Sequence, residues 1–301
     1  MLTGKIFYAL ASLALGVLAQ YPNPQAVTGD TAIHDPSMCK DSSGKYWLFG
    51  TGVGIEIRTS TDRKAWTLVG KVWPDGASWA DTYTGTSNGA LWAPDCTYAD
   101  GQFYLYYAAS SFGSQNSAIF FAKSTTGLPN SWVNEGLVTS TSSSNDYNIQ
   151  EIGISRSAPS GRELKSSSTG KPSSSTVTSL AERTAANGAI EASVIYEYGS
   201  YYYLFTSWDL CCQGTNSTYN IRVGRSSSVK GPFVDESGVA LTEGGGTLIL
   251  GSHGSIIGPG GQDILTDSDG ILLIYHYYTS SGSFLGINHL DFSSGWPIVT
   301  S

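Results

Sequence analysis

Four stretches of the chain couple a polar, glycine-bearing turn to an unbroken run of aromatic and β-branched residues. Asp41-Ser-Ser-Gly44 leads into Lys45-Tyr-Trp-Leu-Phe49, and Asp100-Gly101 leads into Gln102-Phe-Tyr-Leu-Tyr-Tyr107. Tyr198-Gly199-Ser200 leads into Tyr201-Tyr-Tyr-Leu-Phe205, and Asp267-Ser-Asp-Gly270 into Ile271-Leu-Leu-Ile-Tyr275. Each predicts a β-hairpin whose second strand is too apolar to carry a solvent-exposed face. A further strand-like piece follows the first three, at Ile55–Arg58, Ala118–Ala122 and Asn220–Gly224. Helical periodicity of useful length is absent, so the pattern predicts an all-β chain built by repetition.

The interval from Gly101 to Gly199 is close to twice the roughly 40 to 50 residues of a four-stranded propeller blade. A further unit is therefore expected between positions 110 and 190, and there the strand pattern is lost. The count predicts a five-bladed β-propeller whose third blade is degenerate or truncated. A β-sandwich is the competing all-β arrangement, but it gives no reason for whole-unit repetition. In a propeller the innermost strand of each blade lines the central channel, so residues at its start converge on one end. Asp35, Trp92-Ala93-Pro94-Asp95, Glu191 and Gly260-Gly261-Gln262-Asp263 are expected to meet there. The strings Ile33-His34-Asp35-Pro36-Ser37 and Ala189-Ile190-Glu191-Ala192-Ser193 each open a copy of the unit. They are expected to deliver Asp35 and Glu191 to equivalent places.

Residues 1–19 read as a secretory signal peptide, with Lys5 ahead of an apolar Ile6–Leu18 run and a small-residue cleavage site at Val17-Leu18-Ala19. That run is too short to span a bilayer comfortably. The expectation is a secreted, extracellular protein in which residues 20–301 form a single domain. A net charge of −8 argues against nucleic acid and anionic membrane surfaces as partners. With 18 Tyr and 8 Trp but only 13% charged residues, the composition points to carbohydrate, which offers C–H faces to aromatic rings and hydroxyls to polar groups. The four cysteines suit an oxidising compartment, and their spacing does not suit zinc. A Cys39–Cys96 bridge is one available pairing, since both residues follow the opening motifs of the first two units. Asn216-Ser217-Thr218 is an N-glycosylation sequon, with an unmodified surface turn as the alternative reading.

Paired carboxylates are the equipment of a glycosidase. An inverting enzyme needs one ionised carboxylate to activate water and one protonated carboxyl to protonate the leaving oxygen, roughly 6.5–9.5 Å apart. Glu191 lies among Ala189, Ile190 and Ala192, a setting that favours its protonated form. Trp92 offers a stacking face for sugar and Asp95 an acceptor for hydroxyls, although Trp92 could equally wedge between blades. Asp267-Ser268-Asp269-Gly270 lacks the remaining ligands of a calcium loop and reads as a hairpin turn. Cys211-Cys212 has no catalytic histidine paired with it in the local sequence and is assigned a structural role at the site rim.

His34-Asp35-Pro36, Trp92-Ala93-Pro94-Asp95, Ile190-Glu191-Ala192, Ser207-Trp208-Asp209-Leu210-Cys211-Cys212-Gln213-Gly214 and Gly251-Ser252-His253-Gly254 occur in that order. Together they closely resemble endo-1,5-α-L-arabinanases of glycoside hydrolase family 43, over residues 21–148 and about 170–301. The resemblance implies an inverting hydrolase cutting α-1,5-arabinofuranosyl bonds in arabinan, the side chains of pectin. It assigns Asp35 as general base and Glu191 as general acid. It also implies that His276 helps hold a calcium or similar ion at the propeller centre, largely with water as the other ligands.

The resemblance breaks in one large place, and in a smaller one at Ser193, where the family has proline after Glu-Ala. Family members carry a third carboxylate in an Ile-Asp-Pro string after Tyr-Asn, where it raises the pKa of the acid and orients it. Here Tyr147-Asn148 is followed by Ile149-Gln150-Glu151-Ile152. Glu151 falls at the position of the missing aspartate, as a candidate replacement one methylene longer. The segment 149–172 has two open origins: a degenerate third blade, or a misplaced boundary in the coding sequence. The leading function is a monomeric, secreted endo-arabinanase. A sugar-binding propeller without turnover, and a hydrolase of arabinoxylan or β-xylosides, are the alternatives.

Overall fold

The computed structural model describes residues 21–145, 155–157, 178–183 and 185–301. The proposed signal peptide and Glu151 lie outside them. The described residues form four sheets of antiparallel hairpins arranged as propeller blades, one for each hairpin read in the sequence. In the first blade Ser37–Lys40 is the inner strand, followed outward by Tyr46–Gly50, Glu56–Ser60 and Ala65–Lys71. In the second, Ala90–Ala99 is followed by Gln102–Ala109, Ser117–Ser124 and Val133–Thr141. The penultimate blade runs Ile190–Tyr198, Tyr201–Trp208, Asn220–Ser226 and Thr247–Leu250, and the last Ile257–Asp267, Gly270–Thr279, Gly282–Asp291 and Ile298–Thr300.

The expectation of five blades is thus corrected to four among the described residues. Of the third unit, only the short strand Ser155–Ser157 is described, and it adds to the penultimate blade as a parallel partner of Ile190–Tyr198. Apolar clusters fill the space between first and second blades (Trp47, Phe49, Phe103, Leu105), between penultimate and last (Tyr196, Phe205, Ile264, Tyr275), and between last and first (Leu48, Trp66, Ile274, Ile287). The described members of a further cluster, Tyr106, Ala108, Ile119 and Phe121, all lie in the second blade.

The apolar runs become strands because both faces of each blade are covered. Leu272, Leu273, Ile274 and Tyr275 are consecutive and all fully buried, which a sheet with one wet face could not accommodate. Asp267 and Gly270 pair across a two-residue turn, as the hairpin reading expects. The Cys39–Cys96 bridge forms between the inner strands of the first two blades, with the Cα atoms 5.7 Å apart.

The ring closes where the N-terminal segment runs along the last blade. Gln25 N–H donates to the Ile287 carbonyl, Ile33 N–H to that of Ser283, and Leu285 N–H to that of Thr31. At the opposite end of the same junction, Asp267 accepts from Lys40 Nζ at 2.6 Å and from the Tyr46 hydroxyl at 2.5 Å, with Arg63 Nη1 at 2.9 Å. Burial pushes the Asp267 carboxyl upward, but the bonds from Lys40, Tyr46 and the Ser268 N–H outweigh it and hold the group at about 2.

Candidate active site

Each inner strand begins with the same backbone irregularity. Asp35, Ala93, Ala192 and Gly261 all have left-handed φ, at 43°, 43°, 54° and 59°. In the last three blades this residue sits in a register shift, between Trp92 and Asp95, Glu191 and Val194, and Gly260 and Asp263. Such a bulge turns the strand start across the channel mouth. One cleft is lined by four triplets that follow from it: Asp35–Ser37, Ala93–Asp95, Ala192–Val194 and Gly261–Asp263. Asp35, Ala93–Asp95 and Gly261–Asp263 converge as expected, while Trp92, Glu191 and Gly260 each stand one residue ahead of the lining triplets. The expected equivalence is not met: Asp35 occupies the left-handed position, whereas Glu191 occupies the position before it, shared with His34, Trp92 and Gly260. A single extra residue in a strand changes which way each neighbouring side chain points, and the sequence strings alone did not reveal the offset.

In three of the blades a side chain within or just past the second strand holds the next blade by this residue. Thr51 Oγ1 accepts the Ala93 N–H at 2.8 Å, Ser207 Oγ accepts that of Gly261 at 3.0 Å, and His276 Nδ1 accepts that of Asp35 at 3.0 Å. Thr51, Ser207 and His276 are opposite the same point of their inner strands. The equivalent residue of the second blade is Ala108, opposite Trp92. It carries no hydroxyl, and it stands at the boundary where the third unit is expected.

His276 is fully buried, and its charged form is disfavoured, first by that burial and then by the nearby His34. A backbone N–H can only donate, so Nδ1 must be the bare nitrogen and Nε2 must carry the proton. Nε2 lies 3.0 Å from the Tyr278 hydroxyl and donates to it. Asp35 is fixed further by Thr51, whose hydroxyl donates to Oδ2 at 2.6 Å, with His34 Nε2 at 3.6 Å from Oδ1. Gly261 is required here, since a Cβ would lie 2.5 Å from Asp35 Oδ1 and 2.7 Å from His276 Nδ1.

Glu191 accepts a 2.8 Å bond on Oε1 from the Tyr219 hydroxyl. Its carboxyl is raised above the ordinary range, chiefly by burial and additionally by the charge of Asp35, against the opposing pull of Tyr219 and His34. With Oε1 occupied, the acid proton belongs on Oε2. The buried Tyr219 ring reaches this position only because Gly260 has no side chain, as a Cβ there would lie 2.0 Å from the ring. Tyr219 and the Gly260-Gly261 pair therefore serve the two carboxylates in a way the sequence reading did not assign. The adjacent glycines after an Ile-Gly-Pro string were the available signal.

The remaining expected residues divide. Asp95 lines the cleft but is only 9% exposed, below the rim. Trp92 is not among the lining residues. It packs on its own blade's cluster, and its ring lies 4.9 Å from that of Phe112. Phe112, 81% exposed, is an aromatic surface that the sequence reading missed, a lone ring in a Ser/Gly loop. Asn216 is exposed in a short turn, Gly214–Asn216. Cys211 and Cys212 are joined to each other by a disulfide. For the cation expected at His276, His34, Asp35 and His276 each bring one candidate ligand atom within 4.8 Å of one another, with the Asp35 carboxylate as the oxygen donor that a hard cation takes, while His276 Nδ1 accepts the Asp35 N–H and its Nε2 faces Tyr278.

Residues 24–297 match the family described as Glycosyl hydrolases family 43. The chain is 39% identical to the arabinan endo-1,5-α-L-arabinosidase A of Aspergillus niger, with 96% of each chain covered. A GH43 endo-arabinanase from Bacillus licheniformis superposes with a TM-score of 0.81 at 36% identity, covering 91% of this chain and 99% of that one. A Cellvibrio cellulosa α-L-arabinanase, solved with arabinohexaose, gives 0.79 at 31% identity, covering 89% and 95%.

Proposed function

We propose that this chain, which belongs to glycosyl hydrolases family 43, is a secreted, inverting endo-hydrolase of α-1,5-linked arabinan. The observation that carries the reading is an unlike pair of carboxyls close enough to feel each other's charge: Glu191, whose protonated form is favoured chiefly by burial and further by Asp35, and Asp35 itself, locked at the cleft by Thr51 and the His276 latch. The names of the similar proteins support the substrate.

In this mechanism a water molecule sits between the carboxylates, on the face of the sugar away from the leaving group. Asp35 Oδ1 takes a proton from it, since Oδ2 already accepts from Thr51. The water oxygen bonds to the anomeric carbon while the glycosidic bond breaks. Glu191 Oε2 gives its proton to the departing oxygen, and bulk water returns the two carboxyls to their starting states. No step passes through a cation. Burial is the largest influence on Glu191 among the described residues. Phe112, exposed and paired with Trp92, offers an aromatic face suited to the C–H surface of arabinose. The fifth blade that the sequence spacing calls for belongs to this reading, as do export by way of residues 1–19 and a glycan on Asn216.

The test is incubation of the purified protein with linear arabinan. Arabino-oligosaccharides should appear, with the newly formed anomeric centre inverted by proton NMR. Asp35→Asn and Glu191→Gln should each lower kcat by about 10²–10⁴-fold. Binding of arabinan without any product would favour the non-catalytic reading, and cleavage of β-xylosides in preference to arabinan would reassign the substrate.

A further inference from the structure

The Cys211-Cys212 pair has no part in the chemistry above, yet it touches the residues that hold the base. Cys212 has left-handed backbone, φ 64°, a conformation that costs a non-glycine residue energy unless its surroundings impose it. The disulfide to the preceding residue supplies that constraint. In this conformation the Cys212 N–H donates to the Tyr278 hydroxyl oxygen at 2.9 Å. The same oxygen receives His276 Nε2–H at 3.0 Å. The phenol proton is then directed to Cys212 Sγ at 3.9 Å. Burial keeps the phenol protonated by raising its pKa. His34, its ring tilted by 36° against that of His276 with ring centres 4.0 Å apart, brings Nε2 to 3.7 Å from the same sulfur.

Each proton in this chain has one assignment. Asp35 N–H to His276 Nδ1 fixes the tautomer; His276 Nε2–H and Cys212 N–H then both point at Tyr278 Oη. We propose that the Cys211–Cys212 disulfide is a positioning element for the general base, acting through Tyr278 and His276 on the backbone of Asp35. The proposal rests on the assignment of Asp35 as base. Hydrogen bonds in such a chain polarise one another, and the ring orientation of His276 is fixed only while Tyr278 Oη stays in place. Opening the disulfide frees Cys212 to leave the left-handed region, which withdraws its N–H from Tyr278.

The arrangement is directly testable because the two disulfides differ in access. Cys39 and Cys96 are 3% and 0% exposed, whereas Cys212 is exposed and Cys211 partly so. A dithiol such as dithiothreitol, under native conditions, gives two electrons to the Cys211–Cys212 bond. That bond opens to two thiols while the reductant closes to its own disulfide, and alkylation with mass spectrometry confirms which cysteines have been freed. The expected result is a fall in kcat on arabinan of about five- to tenfold, the loss of one to two good hydrogen bonds, with KM unchanged. The ¹⁵N signals of the His276 ring should move at the same time. Tyr278→Phe should start from the lowered kcat, and reduction should then change neither its rate nor its histidine signals. A purely local structural role for the disulfide would not produce that non-additivity. The Cys211→Ser/Cys212→Ser variant should match the reduced enzyme and be insensitive to dithiol. Retention of full kcat and unmoved His276 signals in wild-type protein with Cys211 and Cys212 reduced would overturn the proposal. If the oxidised enzyme turns over no arabinan, the catalytic assignment fails, and the histidine signals alone decide whether the disulfide governs the network.

Discussion

Replacing Asp267 with asparagine removes a charge from the junction where the propeller closes, and the size of the effect can be worked out. The carboxylate is held at about 2 against an ordinary value of 3.8. That difference corresponds to ~2.4 kcal/mol favouring the folded state at neutral pH. Lys40 and Arg63 keep some contact with water, so screening trims the contribution to about 1–2 kcal/mol. The folded-state pKa is depressed, so the contribution is fully present above the unfolded value of ~3.9 and is lost as pH falls through about 2. Asp267→Asn should therefore melt roughly 2–8 °C lower than wild type at pH 7 by calorimetry or circular dichroism. The gap should close between pH 4 and pH 2, because the wild-type carboxylate becomes protonated while the amide does not change. A gap of constant size down to pH 2, or no gap at pH 7, would refute the claim that this ion pair fastens the ring.

Three further outcomes follow from the site. Tyr219→Phe removes the donor that stabilises ionised Glu191, so the acid should hold its proton longer; the alkaline limb of the kcat/KM profile should move to higher pH, and a shift to lower pH would contradict the assignment. Gly261→Ala places a methyl group against Asp35 and His276 at a left-handed backbone position. It should cost at least ~1 kcal/mol of stability, measured by urea unfolding, and lower kcat as well, whereas unchanged kcat would mean that Asp35 is not held as described. Phe112→Ala removes an exposed ring beside Trp92, and initial rates should show KM for arabinan raised by about ten- to a hundredfold if the ring stacks on sugar. An unchanged KM would assign the ring to packing alone.

The parts of the molecule legible in the sequence are those in which cause and effect lie close together along the chain. The Asp267–Gly270 turn and the Ile271–Tyr275 run specify one hairpin between them, and all four hairpins stand where the pattern puts them. The convergence of the strand starts followed from topology alone. The left-handed residues were hidden, because Asp35, Ala93 and Ala192 are not glycines and only Gly261 carries a local sign of the bulge. That concealment is why Asp35 and Glu191 looked equivalent when they are one position apart. The hydrogen bond that His276 accepts was hidden because its donor, the Asp35 N–H, lies 241 residues away in the chain. The Cys211-Cys212 string announced something unusual, but the hydroxyl that gives it meaning belongs to Tyr278 on another blade.

The recurring bulge also makes the cleft a turret with four storeys. His34, Trp92, Glu191 and Gly260 occupy one storey; Asp35, Ala93, Ala192 and Gly261 the next; Pro36, Pro94, Ser193 and Gln262 the third; Ser37, Asp95, Val194 and Asp263 the fourth. Each blade is a socket that accepts a side chain at each storey without altering the frame, because the backbone path is already set. A base at one storey and an acid at another, drawn from different blades, fixes the stagger between them by architecture and not by the length of either side chain. New reaction geometries could then be composed by exchanging residues around and between storeys, with glycine at Gly260 and Gly261 marking the two sockets that must stay empty.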